Sequence, residues 1–320
     1  AAMEEIYSYY KENIDAYTRR LGNLKKKIHL MGSIRLALVV GAILSLWIFR
    51  DESWQWLTGI TFAYIIPFAL LMWYHNKMYA RKVYAETLIK LNEDELKGLD
   101  YDFSAFDGAA DKISGEHSFC LDLDVFGDRS LFQSLNRTVT GFGRERLAGW
   151  LSNPLTDKKE IVKRQEAVKE LAALSALRQH FYVTGIIRQD TQDTRDNDIN
   201  FMDRLTQRKH KFVDSLPWKL LIWAVPVLWI VLGIAYSLDW ISGSLLNIYL
   251  ITLVIAYGRA KEINALYATV NKMESIFNRY SKLMQCVEED NFQSEELKEI
   301  SGQLANEKEL ASHAIKRLSS

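Results

Sequence analysis

Residue types able to do chemistry are thinly spread along this chain. Asp122 and Asp124 alternate with Leu121, Leu123 and Val125, which places two carboxylates on one face of an extended segment. Such a pair can begin a metal site, but hard cations need six or more oxygen ligands and no third carboxylate follows at useful spacing. The solvated face of an extended segment, either one short strand or an extended lead-in, is the reading this pattern favours. His117 lies three residues before Cys120, without a further group to orient the two as base and nucleophile. The six histidines, His29, His75, His117, His180, His210 and His313, show no pairing at i+3 or i+4, and none completes a zinc spacing with Cys120 or Cys286. Gly141-Phe142-Gly143 supplies two glycines of a dinucleotide fingerprint, yet Arg146 stands at the third position and no clear strand-turn context precedes it. The sequence also has no Gly-x-Ser-x-Gly elbow and no Gly-x4-Gly-Lys-Ser/Thr phosphate loop. No catalytic, metal-binding or cofactor-binding residue is therefore expected. The remaining candidate is the basic cluster Arg204, Arg208, Lys209 and Lys211, whose charge suits a DNA backbone or a lipid headgroup.

Composition narrows the classes further. The 40 basic and 40 acidic residues cancel, which argues against a protein that is a nucleic-acid binder over its whole surface, while local patches keep their own fields. Two cysteines far apart make no disulfide framework, as suits a reducing compartment. The 48% hydrophobic content is ordinary as an average, but it is gathered into four blocks.

Those blocks run from Ile34 to Phe49, Trp54 to Tyr74, Trp218 to Leu238 and Ile241 to Tyr257, and very short connections join them in pairs. The second and third reach the ~20 residues needed to cross a hydrocarbon core, and the first and fourth fall near the low end of the spanning range. Gly41, Ala42, Ser45, Gly233 and Ala235 are small enough to let helices approach closely. Basic residues gather outside the hairpins at Arg19, Arg20, Lys25, Lys26, Lys27, Lys77, Arg81, Lys82, Arg208, Lys209, Lys211, Arg259 and Lys261, while the tips carry only Arg50. By the positive-inside rule both termini and the central region face the cytoplasm, with the hairpins in what is expected to be a bacterial inner membrane. The alternative, core helices of a large soluble bundle, stays open for the shorter blocks. Ionisable residues are nearly absent from the blocks, which disfavours a transporter.

Beyond the blocks the pattern is helical. Ile6, Tyr10, Ile14, Tyr17, Leu21, Leu24, Ile28 and Met31 form one seam, and Ile263, Leu266, Val270, Met273, Phe277, Tyr280, Met284 and Val287 form another. Each stripe can pack within the chain or against a second copy. Lys25, Lys26 and Lys27 offer a basic membrane-proximal face. The stretch from Gly98 to Gly115, rich in Asp, Gly and Ser, reads as loop or linker.

From Ser130 the residues carry a recognisable signature: Leu131-Phe132-Gln133-Ser134-Leu135-Asn136-Arg137-Thr138-Val139-Thr140-Gly141-Phe142-Gly143, then Leu147, Trp150-Leu151, Pro154, Ile161 and Arg164-Gln165. This resembles the core domain of the MutS family, over roughly 40 residues of matching order and spacing. The resemblance implies a helical core from which lever and clamp helices reach toward DNA, coupled to an ATPase domain that would bring ATP and magnesium, and a homodimer in the full-length form. The motif residues Asn136, Arg137, Thr138, Thr140, Gly143, Leu147, Trp150, Leu151, Pro154, Arg164 and Gln165 are expected to be architectural: Thr140 as a helix cap, Pro154 as punctuation, and Arg137 and Arg164 in ion pairs or against the ATPase. The sequence departs from the family in having no Phe-x-Glu mismatch-reading motif and no phosphate loop.

The expected fold class is all-α, with this order: an amphipathic helix over 1–33, a transmembrane hairpin over 34–74, helix and linker over 75–115, the first part of the MutS-like core over 116–217, a second hairpin over 218–257, and the second part of the core over 258–320, ending before an ATPase. The fragment itself is expected to lack catalysis. The expected function is that of a membrane-tethered MutS-like protein with DNA as a candidate partner; the alternative is a membrane scaffold whose core no longer binds DNA.

Overall fold

The computed structural model describes residues 2–50, 53–113, 119–187, 248–306 and 309–310. The all-α expectation holds there: helices carry the structure, and the only strands among the described residues are the two-residue antiparallel partners Ala305–Asn306 and Glu309–Leu310. The second hairpin, except for the backbone of its last residues, lies outside the described residues, as does the basic cluster from Arg204 to Lys211.

Helix α1 (Ala2–Ile48) and helix α2 (Trp54–Leu99) form an antiparallel hairpin. At a rise of about 1.5 Å per residue each is ~70 Å long, more than twice the thickness of a hydrocarbon core. Each helix is therefore apolar for one half and amphipathic for the other, without a break between. Pro67 sits inside the apolar half of α2, a position that membrane helices tolerate. The N-terminal stripe is half-buried from Tyr10 to Leu24 and closes on Met31, which is buried, as is Met78 of α2. Ile6, at its start, is exposed. Within the apolar half, Gly41 and Ser45 leave space on the face of α1 toward α2. They make room for Tyr64, whose hydroxyl shares a 3.0 Å hydrogen bond with Ser45 and whose ring would lie 3.3 Å from a Cβ on Gly41.

The polar half of the hairpin supports the core. Leu88 and Leu91 of α2 pack with Val183 of helix α6 (Ser175–Ile186), flanked by Tyr17 and Tyr84. A second cluster joins Phe126, Phe132, Val125, Cys120 and Ala148 around helices α3 (Leu131–Leu135) and α4 (Gly141–Ser152). A third sets Ala167 of α5 (Lys158–Ala173) against Phe292 and Leu297, where helix α8 (Glu295–Leu304) follows the long helix α7 (Ile248–Glu288).

Two expectations need correction. Leu121 to Phe126 is not a strand: the segment folds into turns, Asp124 adopts a left-handed φ of 47°, and Leu121 and Leu123 point to the surface. The apolar alternation reflects Val125 and Phe126 turning inward after an exposed bend. The seam on α7 is also displaced. Its buried positions among the described side chains are Ile276, Arg279, Ser281, Leu283 and Cys286, and all but Ser281 fall one residue before the half-buried Phe277, Tyr280, Met284 and Val287. An arginine on the buried stripe hid the phase. Finally, the stretch after α2 is loop in backbone but part of the core in packing, since Phe106 and Ala109 are buried.

Gly185 fixes how closely α6 meets the signature segment. A Cβ there would lie 2.4 Å from Cγ2 of Val139 and 2.5 Å from its Cβ, and Val139 is itself buried. Gly185→Ala is expected to destabilise the chain by roughly 1–3 kcal/mol through overpacking. Val139→Gly, which removes the Cβ as well as both methyls, should therefore cost less in the Gly185→Ala background than in the parent, read as a coupling energy in a thermal-unfolding cycle. Strictly additive costs of the two substitutions would disprove the contact.

Candidate functional site: a braced turn between helices

The signature residues fold into a tight turn joining α3 to α4. Ser130 caps α3 by accepting a hydrogen bond from the Gln133 amide at 3.1 Å. Gln133 in turn donates to the Phe106 carbonyl at 3.0 Å and accepts from the Arg129 amide at 2.6 Å. Asn136 is buried just after α3; its Oδ1 accepts from the Thr138 amide at 3.0 Å and hydroxyl at 2.7 Å, and its Nδ2 donates to the Asp107 carbonyl at 2.9 Å. Its amide thus uses both ends to fix the turn and to hold the preceding loop. Thr140 caps α4, accepting from the Gly143 amide at 3.0 Å. A Cβ on Gly143 would meet that capping oxygen at 3.0 Å, which explains a glycine in the first turn.

The arginines turn inward. Arg137 donates to Glu95 of α2 through Nε at 2.6 Å and Nη2 at 3.0 Å, a two-pronged pair, while Nη1 reaches the Ser134 and Asn136 carbonyls, both at 3.1 Å. Its guanidinium lies 3.4 Å over the Phe106 ring. Arg164 stacks 4.1 Å over Trp150 and stands 3.7 Å from Glu296. Leu147 and Leu151 pack on the second cluster, Trp150 remains partly exposed, and Pro154 and Gln165 face solvent.

The residues that sequence reasoning missed are the acidic partners and one further arginine. Arg144 is buried on α4 and pairs with Asp107 at 2.6 Å and with both oxygens of Asp111 in the loop after α2. Burial opposes its charge, but the hydrogen bonds to Asp111 and Asp107 outweigh that effect and hold its pKa above the ordinary value. Reciprocally, the Arg144 bond holds the Asp111 carboxyl below its usual range. Two more polar ties fasten α2 to α6: Tyr84 to His180 Nδ1 at 3.0 Å, and Gln179 to the fully buried Asn92 at 2.9 Å. No spacing in sequence joins an acidic loop to an arginine more than 30 positions later. The one local hint was that Arg144 lies one turn inside a capped helix.

Glu170 of α5 adds a cap in trans, accepting from the amides of Gln293 at 2.6 Å and Ser294 at 2.7 Å at the start of α8. Hydrogen bonding by Ser294 and Gln293 lowers its pKa, so this tie is present above the ordinary carboxylate pKa and is lost as pH falls through the lower folded value. Protection of those two amides from hydrogen exchange, referenced to intrinsic rates, should hold at neutral pH and be lost only in acid below the ordinary glutamate range. Glu170→Ala should show the unprotected state at every pH; unchanged protection in that variant would remove the cap.

No grouping of His, Cys, Asp or Glu among the described residues fits a metal ion. Cys286 is buried, which pushes its thiol pKa up and makes it a poor nucleophile. The braced turn offers a rigid joint: its caps fix the starts of α3 and α4, and its arginine and amide bonds tie them to α2 and to the loop after it.

Among the described residues, short capped helices hang on the long ones through arginine pairs and buried amides, the build of a helical connector. The family model of MutS domain III matches residues 117–319, so the chain belongs to the MutS domain III family. DNA mismatch repair proteins MutS of Persephonella marina and Thermosynechococcus vestitus are each 45% identical over 53 residues, covering 17% of this chain. The matched stretch spans 6% of the length of these relatives. No solved structure gives a significant match.

Proposed function

We propose that this chain is the membrane anchor and core of a MutS-type protein, and that its hairpins hold the core at the cytoplasmic face of a membrane. The observation that carries this reading is the apolar half of α1 and α2. Both helices are long and apolar enough to cross a membrane, and the side chains that would meet lipid, among them Ile43, Trp47, Phe62, Ile66 and Leu70, are exposed rather than packed in a core. A soluble bundle would bury them. The second hairpin, where the family's lever helices would run, replaces part of a DNA-gripping arm. DNA repair, ATP with magnesium and dimerisation belong to this proposal through the family, with nucleotide chemistry assigned to a domain outside this sequence and Arg204, Arg208, Lys209 and Lys211 as DNA or lipid contacts.

A second reading has its own support. The signature arginine Arg137 and the neighbouring Arg144 are occupied by internal carboxylates, which leaves the described core without their charge for phosphate. In that reading the chain is a membrane scaffold that has given up DNA. Flotation with lipid vesicles and duplex-DNA binding across a salt series test both. Vesicle association together with DNA affinity that falls steeply with salt supports the first reading. Vesicle association without DNA binding at low salt supports the scaffold, and a chain that stays in the aqueous fraction overturns the anchor.

A further inference from the structure

The hairpin carries a cationic groove at the level where its apolar half ends. Between Asp15 and Glu86 the only carboxylates are Asp51 and Glu52 at the far tip, whereas Arg20, Lys25, Lys26, Lys27, Arg35, Lys77, Arg81 and Lys82 all fall near the other end. Positive-inside topology accounts for that bias but not for its shape. Tyr17, Arg20, Leu24 and Lys27 line one wall of a groove of about 440 Å³, and Arg81 and Tyr84 line the other. Its single acidic neighbour, Glu86, is already flanked by Lys25 and Lys82, each at 3.7 Å.

Depth identifies the ligand. Lys27 precedes Ile34 by seven residues and Arg81 follows Tyr74 by seven, so both Cα atoms lie ~10 Å outside the apolar half. The polar headgroup layer extends roughly 5–8 Å beyond the hydrocarbon on each side. Helical side chains lean toward their helix N-terminus, and α2 starts at the membrane tip, so Arg81 leans into that layer. Lys27, on the oppositely running α1, leans away and reaches the layer only by snorkelling along its flexible stem. A little deeper, Arg35 donates from Nη1 to the thioether of Met72 at 2.9 Å, and its shielded Nε meets no acceptor. A guanidinium at a hydrocarbon boundary whose protein acceptor is a thioether is matched to a phosphodiester arriving from the bilayer.

We propose that this groove binds the headgroup of an anionic phospholipid, with the phosphate held between Arg81 and Lys27. The inference rests on the hairpin lying in a membrane. A freely diffusing phosphate would find the same cations, but the depth and the Arg35 boundary position favour the lipid.

The test uses the chain purified in detergent, with phosphatidylglycerol or phosphatidylcholine titrated in and retained lipid read by native mass spectrometry. Phosphatidylglycerol should be retained preferentially, and the Lys27→Gln/Arg81→Gln variant should lose affinity tenfold or more, on the basis of ~1 kcal/mol per cation at a membrane surface. Arg19→Gln/Lys26→Gln removes the same charge away from the groove and should leave retention unchanged. Equal losses in the two variants would overturn the groove in favour of a diffuse field. Displacement of the lipid by millimolar inorganic phosphate would overturn the lipid as the source. Vesicle flotation of the same preparations separates the two failures: a chain that floats without headgroup preference refutes the groove alone, and one that does not float refutes the anchor beneath it.

Discussion

Lysine at Ile43 and Ile66 should abolish stable association of the hairpin with lipid vesicles. Both side chains are exposed, at 61% and 57%, and both lie near the middle of the apolar stretch of their helices. Each exchange removes a favourable apolar contribution and introduces a charge whose insertion at the centre of a membrane helix costs about 3 kcal/mol, near a hundredfold in the insertion equilibrium. The same exchange on a water-facing helix would be neutral or would raise solubility, since an exposed isoleucine gains nothing from water. Because the second hairpin could hold the chain to a vesicle by itself, the readout is labelling of the chain on vesicles by a membrane-impermeant amine reagent, with the labelled sites located by mass spectrometry. Parent-like association with both new lysines freely labelled would show that this face never meets hydrocarbon.

The second large effect is expected at Arg144, which is 4% exposed and joins α4 to the loop after α2 through Asp107 and Asp111. Arg144→Met keeps most of the volume and leaves two carboxylates without their partner. Breaking a fully buried pair costs more, but Asp111 is half exposed, so a loss of about 2–3 kcal/mol is expected. The pH dependence follows from the lowered Asp111 pKa. Its stabilisation is complete above the ordinary carboxylate pKa and disappears as pH falls through the lower folded value. Parent and variant should therefore differ in melting temperature at neutral pH and converge in acid. A variant within ~0.5 kcal/mol of the parent at neutral pH would mean that the loop is held without the ion pair, by buried Phe106 and Ala109 and by the Gln133 and Asn136 hydrogen bonds.

Much of this architecture could be read from residue order because it rests on local rules. Thr140 followed by Gly143 announces a cap, Pro154 marks the end of a helix, and the apolar stretches of α1 and α2 announce themselves by length. The braces could not be read that way. Glu95, Asp107 and Asp111 come from an amphipathic helix and a polar loop, where a carboxylate ordinarily faces water, and only tertiary folding brings them to Arg137 and Arg144. The phase of α7 failed for a related reason. Arg279 sits on its buried stripe, so a pattern built from apolar residues alone settled one position away. Gly41 and Ser45 were rightly seen as making room, but an aromatic ring took the space.

Helix α2 continues without interruption from the apolar stretch ending at Tyr74 to the Glu95 brace, a run of about 30 Å at the α-helical rise. Bilayer thickness sets the tilt of a spanning helix, and tilts range over tens of degrees. A change of roughly 10° at the membrane would swing the Glu95 end by ~5 Å, as the needle of a gauge magnifies the motion at its pivot. Because Tyr84 and Asn92 fasten α2 to His180 and Gln179 of α6, and Glu95 fastens it to Arg137, a hairpin lying in a membrane as proposed would pass that swing to α6 and to the turn before α4.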